Sequence, residues 1–93
     1  MSSKSNLTEA LLNANGFQKS KNKIDDICFS KRIPGTISDF IIMQEGDGLF
    51  YAPQIQTPGE LMNKMIAMPG QNNLNSMDEV NFYYQRALKA LKG

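Results

Sequence analysis

Three runs of alternating apolar and polar residues, each closed by a turn signal, constrain the fold of this chain more than any other feature. In the first, Ile27, Phe29 and Ile33 fall at even spacing, with Lys31 interrupting the apolar side. Asp26, Cys28, Ser30 and Arg32 take the other face, the period of a half-buried strand. Pro34 and Gly35 follow as a turn, because proline presets φ at the second position and glycine accepts a positive φ at the third. The second run covers about Ile37 to Gln44. Phe40 and Ile42 face one way and Ile41 and Met43 the other, as suits a strand with neighbours on both sides. The third begins at Leu49, with Leu49, Tyr51 and Ile55 on one side and Phe50 and Ala52 on the other. Pro53 lacks a backbone donor, so it marks an edge, a bulge or the end of this strand.

Between the second and third runs stands Glu45-Gly46-Asp47-Gly48. A phosphate-binding P-loop would continue with Lys and a hydroxyl, but Leu49 and Phe50 follow. A dinucleotide fingerprint would open a helix, and here the next segment reads as a strand. A calcium loop needs more oxygen ligands than Glu45 and Asp47 supply. The stretch is expected to reverse the chain into a hairpin.

Helical spacing occupies both ends. In "NLTEALLNANG", Asn6 and Glu9 are placed as N-cap and N3, Leu7, Leu11 and Ala14 share a face, and Gly16 ends the helix. Gln18 to Lys23 is polar and basic and reads as a loop. In "TPGELMNKMIAMPG", Thr57 can cap, Pro58 suits the first helical position and Glu60 completes a capping box. Leu61, Met62, Met65, Ile66 and Met68 then line one broad side until Pro69 and Gly70. "QNNLN" is a connector. A last helix opens at Ser76 with Glu79 at N3, and Met77, Val80, Tyr84, Ala87, Leu88 and Leu91 form its packed stripe.

The expected fold is therefore α+β: a short N-terminal helix, a three-stranded antiparallel β-meander, and two C-terminal helices packed on one face. Residues 1–5 read as a flexible tail and residues 6–93 as a single compact domain.

Composition narrows the chemistry. The 93 residues contain no histidine and one cysteine, Cys28. These numbers remove internal disulfides, cysteine metal clusters and the commonest general base at neutral pH. Cys28 lies in an apolar run and is expected to be a buried thiol. No enzyme activity, cofactor or metal is expected. A metal-dependent nuclease would need carboxylates in register, and Asp25, Asp26, Asp39 and Glu45 lie near the proposed sheet. The lysine that often accompanies such a set is missing. No stretch approaches the roughly 20 apolar residues of a membrane span, and the first residues lack the apolar core of a signal peptide. A cytoplasmic location is the expectation.

The functional expectation is a small non-enzymatic protein-binding or regulatory accessory protein. Its interface would be aromatic and methionine-rich, with a second copy of the chain as one partner that would cover it. Phe82 and Tyr83 lie off the packed stripe of the last helix, and Met77, Phe50 and Tyr51 join them as candidates. The alternative is a nucleic-acid-binding protein using Lys19, Lys21, Lys23, Lys31 and Arg32, the densest basic region. A net charge of +1 offers that alternative little general attraction to phosphates. In size and charge balance the chain resembles small accessory proteins, phage-encoded inhibitors of host factors among them; no motif carries that resemblance.

Overall fold

The structure, a computed structural model, describes residues 7–21, 26–45, 49–66 and 73–92, with the side chain of residue 92 left aside. Helix α1 spans Glu9–Ala14, and strands β1 to β4 span Gln18–Lys21, Ile27–Arg32, Asp39–Gln44 and Phe50–Gln56. Two short strands follow, β5 (Lys64–Met65) and β6 (Asn73–Leu74), and helix α2 (Met77–Lys92) closes the order. All pairings are antiparallel, in the order β1-β2-β3-β4-β5, with β6 also on β4.

This overturns the expected three-stranded meander with two C-terminal helices. The described chain has one short helix, a sheet of six strands and one C-terminal helix. Three local causes account for the difference. Gln18–Lys21 is not a loop but an edge strand, exposed along its length and paired to β2 from Gln18↔Ser30 to Lys21↔Ile27. Its polar sequence hides it from a search for apolar alternation, and its lysines suit an edge that must not recruit further strands. Thr57–Glu60 is a reverse turn rather than a helix start: Glu60 N–H donates to Thr57 O at 3.1 Å and Gly59 has φ +90°. Proline followed by a positive-φ glycine is the pattern of a type II turn. Leu74 of the "QNNLN" connector pairs with Phe50 and is buried.

Helix α1 starts two residues later than a cap at Asn6 would place it. Thr8 is the N-cap, and its Oγ1 accepts from Leu11 N–H at 3.2 Å. Leu7 before the cap and Leu12 in the second turn both enter the core, a hydrophobic-staple placement. Asn6 and the tail 1–5 lie outside the described residues, as do 46–48. The flanks of that last loop close as a hairpin, with Glu45 N–H donating to Leu49 O at 2.8 Å.

The core forms on one face of the sheet. Phe29, Phe40, Ile42, Phe50 and Ile55 meet Leu12 of α1 and Val80, Tyr83 and Ala87 of α2. Edge-to-face ring contacts run Phe17–Phe40 (5.9 Å) and Phe40–Tyr84 (5.6 Å), joining the α1 exit, β3 and α2. A register shift between β3 and β4 gathers Phe50 and Ile55 on this same face. The shift coincides with Ala52 at φ +56°, the one non-glycine residue with positive φ among those described. The alternation expected for this strand, with Phe50 opposite Ile55, is corrected by that bulge.

Candidate functional site

Residues 57–66 form an arm pinned at several points. The Thr57 hydroxyl meets the Ser38 hydroxyl at 2.8 Å, joining the β4–β5 and β2–β3 connections at one end of the sheet. Asn63 Nδ2 donates to Gln54 Oε1 at 2.8 Å, and Gln54 Nε2 donates to Ala52 O at 3.1 Å. Beyond these, β5 pairs with Gln54 and Ile55, and Ile66 N–H donates to Pro53 O at 3.2 Å. Between these pins the side chains turn outward. Leu61 is 102% exposed, Met62 82% and Met65 54%. Ile37, in the connection that carries Ser38, is 63% exposed. Single exposed apolar residues are ordinary on a protein surface, but a concentration on one pinned segment is a feature to explain.

Beside the arm, β5 and α2 border an open groove of about 440 Å³ lined by Lys64, Met65, Ile66, Arg86, Lys89 and Ala90. Phe82 lies one helical turn before Arg86 on the same side of α2 and is 48% exposed. The Arg86 guanidinium carbon sits 6.0 Å from its ring centroid.

The five aromatic and methionine candidates separate in the structure. Phe50 and Tyr83 are buried in the core at 1% and 2% exposure. Met77 is half-buried against that core. Tyr51 is half-buried on the sheet face away from the helices, opposite Met43. Phe82 is the one of the five that presents a large exposed surface. Leu61 and Met62 read as part of a packed helix side and Ile37 as the start of a strand; the structure leaves all three exposed. For Leu61 and Met62 the reverse turn at Gly59 replaces the expected helix, which periodicity does not reveal.

The basic candidates are divided as well. Lys19 and Lys21 stand on β1, where Lys19 Nζ pairs with Glu9 at 3.3 Å. Arg32 Nε pairs with Asp39 at 2.7 Å across β2 and β3. Lys31 is used inside the fold: its ammonium lies 4.6 Å from the Tyr84 centroid and 5.7 Å from that of Phe17. Its stem passes Gly16, where an added Cβ would meet Lys31 Cε at 3.5 Å. Lys31 and Arg32 point to opposite faces of β2, since successive strand residues alternate. Lys23 lies outside the described residues.

Of the carboxylates weighed for a metal, Asp39 is engaged by Arg32, Asp26 and Glu45 are exposed, and Asp25 lies outside the described residues. Among the described residues no three His, Cys, Asp or Glu side chains converge as a metal site requires. Cys28 is buried, with its Sγ 3.2 Å from Ser20 Oγ. Desolvation raises the Tyr84 phenol above its ordinary value; its hydroxyl donates to Arg32 O at 3.4 Å. No described helix is long and apolar enough to cross a membrane.

No family model, curated protein or solved structure matches this chain.

Proposed function

We propose that the chain is a non-enzymatic accessory protein that binds another protein through the 57–66 arm. One observation carries this reading. Leu61 and Met62 stand almost fully in solvent on a segment held to the sheet by the Thr57 and Asn63 hydrogen bonds. A segment anchored in this way loses less conformational freedom on binding than a free loop. Desolvating each of the two side chains would contribute about 1.5–3 kcal/mol, the scale of an interface anchor. Methionine adapts to irregular partner surfaces, and Ile37 and Phe82 are further exposed apolar side chains outside the arm.

The test compares affinity capture by the wild-type chain and by Leu61→Ser/Met62→Ser, with both baits checked for equal folding by circular dichroism. Binding through the arm requires at least one partner retained by the wild type and lost by the variant. Equal recovery of every partner by both baits would remove the basis of the proposal. Light scattering of the free chain decides whether a second copy is the partner: a dimer that dissociates in the same variant assigns the arm to self-association.

A further inference from the structure

We infer that the groove between β5 and α2 selects an acidic segment of the partner protein, one that carries carboxylates beside apolar side chains. The inference rests on the arm as a protein-binding surface and specifies the chemistry of what binds there. Its foundation is where the described cations lie. Lys19 and Arg32 are neutralised by Glu9 and Asp39, Lys31 is held over two aromatic rings, and Lys21 stands on the edge strand β1. Lys64, Arg86 and Lys89 instead line one groove, and no carboxylate among the described residues lies within ion-pairing distance of them. Arg86 has one ring contact, 6.0 Å to the Phe82 centroid, and no ion pair among the described residues.

Like charges gathered along a single groove repel one another, and an anionic ligand relieves that repulsion. The groove adds a second selection. Met65, Ile66 and Ala90 supply apolar lining beside the cations. Met65 belongs to both surfaces, since it ends the exposed arm and borders the groove. A segment lying across both would place apolar side chains on Leu61, Met62 and Met65, and carboxylates opposite Lys64, Arg86 and Lys89. A nucleic-acid strand fits less well. Among the described residues no aromatic ring lines the groove itself, Phe82 beside Arg86 is a single ring rather than a stacking track, and phosphates repeat along a path longer than this one recess.

The experiment pans a random display library of short linear peptides against the intact chain, then measures affinities of the recovered peptides by fluorescence anisotropy. The expected winners combine Asp or Glu with Leu, Ile, Met or Phe, and bind more weakly as salt rises. Affinity should fall at least about tenfold in Arg86→Glu/Lys89→Glu, by an intermediate factor in Arg86→Gln/Lys89→Gln, and stay unchanged in Lys21→Glu. Winners without an acidic excess, no winners, or winners indifferent to the groove variants would overturn the inference. If such winners still lose binding in Leu61→Ser/Met62→Ser, the arm stands as a binding surface and only the acidic partner fails. Oligo-dT run in parallel is expected to bind weakly. Tight, salt-sensitive oligo-dT binding abolished by Arg86→Glu/Lys89→Glu would reassign the groove to phosphates and overturn the inference.

Discussion

Replacing Gly59 by alanine probes the turn on which the arm depends. Gly59 has φ +90°, and a Cβ built there meets nothing within 4 Å among the described residues. The cost is therefore that of placing an L-residue in left-handed backbone, about 1–2 kcal/mol. Alanine also restricts the unfolded chain, which returns about 0.4–1 kcal/mol. The net expectation is a loss of about 1 kcal/mol, equivalent to roughly 4–8 °C in melting temperature for a domain of this size. Had residues 57–68 formed a helix, the same change would sit in its first turn and stabilise the protein by about 0.5–1 kcal/mol. The two structures thus predict opposite signs. Urea and thermal denaturation followed by circular dichroism measure the difference. Gly59→Asn should recover part of the loss, since asparagine tolerates left-handed backbone. A gain in stability in Gly59→Ala would refute the turn and the exposure of Leu61 and Met62 that follows from it.

Three further outcomes are expected. Tyr83 has a buried hydroxyl with no hydrogen-bond partner among the described residues, so Tyr83→Phe should raise stability by about 1 kcal/mol in urea denaturation; a loss of that size would mean the hydroxyl is satisfied. Tyr84 has its phenol raised by desolvation, so the folded state holds that proton more tightly than the unfolded state. Its contribution is complete below about pH 10, the unfolded value, and is lost as pH rises through the folded value. Tyr84→Phe should remove that alkaline loss, read from denaturation midpoints on either side of the unfolded value, and an unchanged profile would exclude Tyr84 as its source. Thr8→Ala removes the cap of α1 and should cost about 1 kcal/mol in the same assay, whereas Thr8→Ser should cost much less.

The sequence was readable where a single interaction decides local structure. Pro34-Gly35 reads as a turn, and Thr36 N–H donates to Ile33 O at 3.2 Å with Gly35 at φ +77°. The faces of β2 and β3 follow from strict alternation, with Phe29, Phe40 and Ile42 inward. Ser76 caps α2 as its position suggests, accepting from Glu79 N–H at 3.3 Å. Pro58-Gly59 carries the same turn chemistry as Pro34-Gly35, but a capping-box pattern and five apolar residues at helical spacing favour a helix on paper. Glycine in left-handed backbone prevails: Leu61, Met62 and Met65 are exposed, Ile66 is buried, and Met68 lies outside the described residues. Strand β1 was hidden because its pairing depends on the free edge of β2, not on its own side chains. The bulge at Ala52 was hidden because alanine has no local preference for positive φ. The groove of Lys64, Arg86 and Lys89 joins residues more than 20 positions apart, so only tertiary structure brings them together.

Binding through the arm is tested most directly by quantitative capture with wild-type chain and Leu61→Ser/Met62→Ser baits, with mass-spectrometric comparison of recovered partners. The prediction is a partner whose recovery falls at least about tenfold in the variant, as loss of two desolvated anchors implies. The same partners recovered in the same amounts by both baits would contradict it.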